Sequence, residues 1–207
     1  MNHLIRPYRP EDRDEVALVC TRTGDSGSDA TGKFVDDALL PHIYALPYIT
    51  FAPELASVVE IDGAVSGYIL GVADVAEFAR WWKSEWQPVL RERFPSTSSW
   101  PEADRRLFDR TVGGDDLWSP RRADHPAEFH IDLLQRAQGL GLGRLLIEGY
   151  CQKLRKLGVP ALAIGVGARN TNAVAFYSHL GFAVLDTQYV DGQAVGHTMG
   201  LDLADPR

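Results

Sequence analysis

Cysteine is scarce. Cys20 and Cys151 are the only two in 207 residues, too few and too far apart for a disulfide framework or a thiolate metal site. Both read as small buried residues on helices, and no metal is expected. Long apolar runs are absent as well. None approaches membrane-spanning length, and Met1-Asn2-His3-Leu4-Ile5-Arg6 lacks the apolar region of a signal peptide, so no membrane partner is expected and the expected location is cytoplasmic. Basic residues are outnumbered, 21 against 28 acids for a formal net charge of −7. Nonspecific nucleic-acid binding calls for a basic stripe, so nucleic acid is not an expected partner. Repeats, low-complexity tracts and linker-like segments are missing too, and residues 1–207 read as a single folded domain.

What is present concentrates between Glu128 and Leu146. Phe129, Ile131 and Leu133 alternate with Glu128, His130 and Asp132, the period of a β-strand with one apolar and one ionisable face. Gln138-Gly139-Leu140-Gly141-Leu142-Gly143-Arg144 follows, with three glycines at alternate positions and no Cβ atoms to hold an anion away from the main chain. A helix begins at once, and its first N–H groups, unpaired within the helix and backed by the dipole, form a seat for phosphate. The spacing is not that of a dinucleotide fingerprint, because Arg144 stands where G-x-G-x-x-G needs its third glycine, and the P-loop ending is absent.

The loop instead resembles the acyl-coenzyme A loop of the GNAT N-acetyltransferase superfamily, [QR]-x-x-G-x-[GA], matched at Gln138–Gly143 and again at Arg136–Gly141. Asn170-Thr171-Asn172-Ala173 through Phe176-Tyr177 to Leu180-Gly181-Phe182 resembles the superfamily's second signature, at the usual distance and with a strand between. Together these cover roughly the last 80 residues. A narrower resemblance, to the acetyltransferase-like C-terminal domain of O-GlcNAcase and its free-standing bacterial relatives, rests on Thr23–Gly27 (TGDSG), Trp86-Gln87-Pro88 and His130–Leu134 (HIDLL). The animal domain is regarded as a pseudo-acetyltransferase without a working coenzyme A loop, whereas the loop is intact here.

The resemblance implies an α/β (α+β) GNAT fold: a mixed, mostly antiparallel central sheet of about seven strands flanked by helices. Reading in order, Leu4–Tyr8 is the first strand, and Arg9-Pro10-Glu11-Asp12 opens a helix buried through Val16, Ala17, Val19 and Cys20. Thr23–Gly32 is a loop. Lys33–Leu40 reads as a short helix closed by Pro41, with Pro47 and Pro53 keeping the next segment irregular. Ala56–Ile61 and Ala64–Val72 form a hairpin through Asp62-Gly63. The 73–127 segment is a helical insertion: Val75, Phe78, Trp82, Trp86 and Val89 lie at helical spacing with a break near Pro88, a second helix follows Pro101, and Gly113-Gly114 and Ser119-Pro120 mark loops. All five tryptophans, at 81, 82, 86, 100 and 118, fall in it, either as its core or as an aromatic wall over an acceptor pocket. Ala161–Val166 is a buried strand, Thr171–Leu180 a helix, and Phe182–Tyr189 with Ala194–Leu203 a closing hairpin around Asp191-Gly192.

By resemblance, the cosubstrate is acetyl-CoA, with Leu133 and Leu134 holding its pantetheine arm through the main chain, Gln138 to Arg144 carrying the pyrophosphate, and Asn170 touching it near the next strand. Tyr177 stands at the general-acid position. Acetylating an amine needs a neutral nucleophile, and an ordinary lysine-like amine is protonated at pH 7 by about 3.4 pK units, or about 4.6 kcal/mol. A base is therefore useful, and Glu128, His130 and Asp132 share one strand face, where burial and like charge raise a carboxyl pKa. Asp132 is the first choice and His130 the second, being nearest the strand end. Asp25 and Asp29, in a loop that borders the acceptor site in the superfamily, are either acceptor contacts or solvated loop acids. The acceptor is a small-molecule or protein amine, and the chain is a small-amine acetyltransferase, a protein lysine or N-terminal acetyltransferase, or a catalytically silent acyl-CoA-binding module. Acidity weakly favours a cationic acceptor, and a homodimer is left open.

Overall fold

The computed structural model describes residues 2–113 and 124–204. Strands β1 (His3–Pro7), β2 (Ser57–Ile61), β3 (Ala64–Val72) and β4 (Glu128–Leu133) form one antiparallel sheet in the order β1-β2-β3-β4. β5 (Ala161–Gly167), β6 (Ala183–Val190) and β7 (Gln193–Asp202) form a second, in the order β5-β7-β6. Seven strands are thus present among the described residues, but not in one continuous sheet as expected. Among the described residues the two sheets pair only at a parallel bridge between Ala127 and Leu162, after which β4 and β5 part. Both expected hairpin turns form, with Asp62 and Gly63 at φ 50° and 85° and Asp191 and Gly192 at 49° and 76°, the left-handed pair that matches strand twist.

Alternation along the strands sends side chains into two cores. On one face Val58, Tyr68, Leu70 and Val72 pack with helix α1 (Arg13–Thr23), α2 (Leu39–Tyr44), α3 (Leu46–Phe51) and the insertion. On the other, Val59, Ile69 and Phe129 pack with α7 (Leu142–Lys156) and β5. The Tyr150 hydroxyl of α7 reaches the Glu128 and Val72 carbonyls at 2.7 and 3.1 Å. This approach needs Gly71, where a Cβ would stand 2.3 Å from that hydroxyl. At the chain's start, Arg6 makes a paired contact with Asp12 at 2.7 and 2.8 Å and a third with Glu60 at 2.8 Å, tying β1 to the turn before α1 and to β2.

Two sequence expectations change here. No helix runs over 33–40: α2 starts at Leu39, carries Pro41 in its first turn, and α3 starts one residue before Pro47. The first-turn N–H groups of a helix have no internal partner, so proline starts these helices rather than stopping them. The insertion is helical as expected, with α4 (Val75–Trp81), a π-turn at Trp82–Trp86, α5 (Gln87–Arg93) and α6 (Glu102–Gly113). Gly113 ends α6 rather than marking a loop, while Gly114, Trp118 and Ser119-Pro120 lie outside the described residues.

Trp82 and Trp86 are 0% and 4% exposed and belong to the core beneath α2 and α3, so the aromatic-wall alternative is corrected to packing. Trp82 meets Phe78 edge-on, Trp86 stacks on Trp81, and the Trp86 indole N–H donates to the His42 carbonyl at 2.8 Å. Trp82 and Trp86, at the two ends of the π-turn and four residues apart, both face the core. Trp82→Ala should therefore cost about 3 to 5 kcal/mol of stability, read as a lower denaturant midpoint, with acceptor KM unchanged in protein that remains folded.

Candidate functional site

The parting of β4 from β5 leaves main-chain groups open. Leu134 N–H donates to the Ser66 carbonyl at 2.9 Å, and Ala127 exchanges bonds with Ala161 and Ala163 on the opposite side. Main-chain groups of successive residues in an antiparallel ladder point to opposite edges, so even-numbered residues of β4 face β3 and odd-numbered ones face the gap. Ile131 and Leu133 therefore present N–H and C=O to the gap. Leu134 does not, since its N–H goes to Ser66 and its carbonyl accepts from Ala137 N–H, so it does not offer the main-chain contacts expected of it. The Gln138 side-chain amide donates to the Leu133 carbonyl at 2.9 Å, on that same open edge.

Beyond β4, Gly139 and Gly141 sit at φ 72° and 75°, a region costly for a side chain, and a Cβ built on either would meet nothing within 4 Å. Gly141 caps α7, and Leu145 N–H is the first to bond back into the helix, to the Gly141 carbonyl at 3.3 Å. The N–H groups of Leu142, Gly143 and Arg144 therefore have no partner within the helix, as at any helix start. Arg144 pairs with Glu148 at 2.6 Å. An elongated acyl-CoA fits this arrangement: an open strand edge for an amide-bearing arm, then an unobstructed glycine turn with helix N–H groups for a diphosphate.

Gap and loop belong to one cleft of about 1160 Å³. It brings together His130, Asp132, Leu133, Gln138, Gly139, Gly141, Leu142, Gly143, Arg144, Asn170 and Tyr177 of the expected set. Leu134, Leu140, Asp25, Asp29, Trp82 and Trp86 do not line it. Asp25 pairs with Lys33, and Asp29 accepts from the Thr31 N–H and hydroxyl at 2.8 and 2.6 Å, so both acids brace their own loop. Asn170 lines the cleft while its side chain caps α8 (Thr171–His179) by accepting from Ala173 N–H at 3.1 Å.

The ionisable face of β4 is densely bonded. Tyr68 donates to the Asp132 carboxyl at 2.6 Å, and the Cys20 thiol contacts the same Tyr68 hydroxyl. Burial raises Asp132 above the ordinary carboxylate range, against the opposing hydrogen bond from Tyr68. Tyr177 packs against Phe129, Phe176 and Phe182, and burial with the charge of Asp132 raises its phenol well above 10. Burial pushes the Cys20 thiol up to about 12. One step along the strand, Tyr48 donates to buried Glu128 at 2.9 Å and lies 3.0 Å from His130 Nε2. Sequence reading missed Tyr68, Tyr48 and Cys20 as neighbours of this face, because they come from three distant elements: Tyr68 meets Asp132 across the β3–β4 pairing and brings Cys20 with it, while Tyr48 meets Glu128 and His130 from α3.

Residues 32–182 match the acetyltransferase (GNAT) family. The fold matches the crystal structure of SsHAT with a TM-score of 0.89 and 34% identity, over 99% of this chain and 100% of that one. Mycothiol acetyltransferase of Paenarthrobacter aurescens (strain TC1) is 38% identical over 76 residues, 35% of this chain and 24% of that protein. Protein O-GlcNAcase of Rattus norvegicus is 22% identical over 186 residues, 86% of this chain and 20% of that protein, which bears out the narrower resemblance. The chain thus spans about a fifth to a quarter of the length of these curated relatives. With the family matched over well more than half its length and SsHAT over nearly all of it, the chain belongs to the acetyltransferase (GNAT) family, and membership implies acetyl-CoA-dependent acetyl transfer.

Proposed function

We propose that this protein is an N-acetyltransferase that passes the acetyl group of acetyl-CoA directly to an amine while both are bound. The observation that carries this reading is the single cleft in which the open β4 edge and glycine turn adjoin a raised carboxyl and a raised phenol. Acetyl-CoA supplies an activated acyl thioester. Ile131 and Leu133 hold its amide arm through main-chain hydrogen bonds, and residues Gln138 to Arg144 receive its diphosphate, with Asn170 alongside.

Asp132 takes the proton released by the amine as the new C–N bond forms. Its raised pKa makes it a stronger base than an exposed carboxylate, and Tyr68 fixes its orientation. His130, held by Tyr48, is the second choice. Tyr177 gives its hydroxyl proton to the sulfur as the C–S bond breaks. Its raised pKa keeps that proton in place at neutral pH, as a general acid requires. Cys20 lines the cleft, but a thiol pushed up to about 12 is hardly ionised at pH 7. That supports direct transfer over an acyl-cysteine route.

Gly141→Glu places a side chain and a negative charge at the diphosphate seat, on a backbone that favours glycine. Calorimetry should detect acetyl-CoA binding to the wild type and none to a variant with an intact fold by circular dichroism. Equal binding by both would remove the loop from the account.

Tyr177→Phe keeps the ring and deletes the proton. General acid catalysis contributes about 100- to 10,000-fold, or about 3 to 5 kcal/mol, so kcat should fall by that order while the acetyl-CoA Kd holds. Unchanged kcat assigns Tyr177 to packing, and firm acetyl-CoA binding with no thiol release on any amine favours the silent binding module.

Asp132→Asn has two readouts. Activity should fall, and the loss should shrink as rising pH deprotonates the amine without help. Stability should move the other way. Because folding raises the carboxyl pKa, the ionised form carries a folding cost that is fully present above the folded pKa and vanishes below the unfolded value of about 3.9. The variant should therefore melt higher than wild type at pH 7, with the difference closing as pH falls toward 4. A lower melting temperature at pH 7 contradicts the burial argument.

A further inference from the structure

His130 and Asp132, on the ionisable face of β4, both line the cleft. Each is hydrogen-bonded by a tyrosine that does not line it, Asp132 by Tyr68 of β3 and His130 by Tyr48 of α3. Tyr68 donates to a carboxyl, so the direction of that bond is fixed. At His130 it is not, because a phenol can give its proton to a ring nitrogen or take one from it. Glu128 decides between the two. It stands two residues back on the same strand face, and its carboxylate accepts the Tyr48 hydroxyl proton at 2.9 Å. A phenol has a single proton. With that proton on Glu128, the Tyr48 oxygen meets His130 Nε2 at 3.0 Å as an acceptor, and Nε2 carries the hydrogen. An ordinary glutamate is ionised at pH 7 by about 2.7 pK units, and a donated hydrogen bond favours that form further. Tyr48 and Glu128 are 4% and 8% exposed. Tyr48 packs on Phe78 at 4.7 Å between ring centroids, and Tyr48 and Tyr44 both set ring edges against His130, at 4.8 and 5.6 Å. The plane of the imidazole is thus held as well as one of its nitrogens.

We infer, resting on the transferase reading above, that Tyr48, with Glu128 behind it, is a positioning residue that fixes His130 as the Nε2–H tautomer and makes Nδ1 the nitrogen that takes a proton from the acceptor. An alkylammonium must lose two protons to become an amide N–H. Asp132 takes the one released as the C–N bond forms, and His130 takes the earlier one. One N–H bond of the ammonium breaks, its electron pair becomes the lone pair that attacks the thioester, and the proton passes to Nδ1. The Nε2–H and Tyr48 O–H bonds stay intact. The imidazolium so formed points its Nε2–H at Tyr48, and the Glu128 carboxylate stabilises it through that hydroxyl, as a fixed buried dipole or charge stabilises one that develops during reaction.

Long-range 1H–15N spectra of the wild type at a pH where the ring is neutral test the tautomer. The chain has six histidines, so the His130 signals are assigned by their loss in His130→Gln. Nε2 should give the protonated-nitrogen signal and Nδ1 the unprotonated one. Tyr48→Phe keeps the ring and its packing on Phe78 but removes the acceptor, so the two nitrogens should move toward a mixture of tautomers. In thiol-release assays with 2-phenylethylamine, spermidine, glucosamine and a lysine-containing peptide, Tyr48→Phe should lower kcat for the best acceptor by about ten-fold or more, a part of what general acid–base catalysis contributes, with KM and the acetyl-CoA Kd unchanged. A wild-type signal with the proton on Nδ1, the pattern that a protonated Glu128 would impose, overturns the inference. So does a folded Tyr48→Phe with the wild-type tautomer or the wild-type kcat, which reduces Tyr48 to packing. Thiol release from none of the amines sinks the transferase reading and the catalytic use of His130 with it, whereas the tautomer, read without turnover, still decides whether Tyr48 sets the ring.

Discussion

The parting of β4 and β5 after the Ala127–Leu162 bridge is the constraint on which the cleft depends. Up to that bridge the two strands satisfy each other's main chain. Past it the odd-numbered residues of β4 lose their partners in β5, and an open edge of that kind is free to take hydrogen bonds from another group. The Gln138 side chain serves Leu133 in that way. β5 contributes to the opening by sequence as well as direction: Gly165 and Gly167 line the cleft with open space where a Cβ would stand, while Val166 between them faces the core.

The same face of β4 shows how burial converts ordinary groups into useful ones. Asp132 and Tyr177 are both raised, and each for the same leading reason, desolvation. In a carboxyl this makes a better base; in a phenol it preserves an acid. Tyr68 opposes the effect on Asp132 by donating to it at 2.6 Å, a bond that also holds the carboxyl in place. The cost of keeping such a group falls on stability, as expected of sites that depart from the rules governing the rest of a core.

The helical insertion acts on the cleft at one remove. Its aromatic residues support α2 and α3, through contacts such as Tyr48 with Phe78 and Phe51 with Trp81, and those two helices bring Tyr44 and Tyr48 edge-on against His130. Asp104 and Arg93 clasp the loop at Val35 and Asp36, which fixes the wall that Phe34 belongs to. Only Leu107 of the insertion's described residues touches the cleft directly. An insertion rich in tryptophan thus shapes this part of the cleft by bracing other elements.

Sequence alone determined the strand, turn and helix from Glu128 to Leu146, both Asp-Gly hairpins and the helical nature of the insertion. Each follows from local rules: period-two alternation, left-handed φ at glycine, and helical spacing of large apolar residues. It also gathered most of the cleft's residues around the glycine turn, because the loop is continuous in the chain. The tertiary structure alone decided the break into two sheets, since a strand's sequence does not say which of its edges is paired. That break in turn decided that Ile131 rather than Leu134 faces the gap, a matter of ladder parity. It decided where Trp82 and Trp86 go, because amphipathic spacing shows that a side faces inward but not what lies there. The environment of Asp132 was likewise invisible, since Cys20, Tyr68 and Tyr177 reach it from elements far apart in the chain, and the desolvation that sets its pKa exists only once they have packed around it.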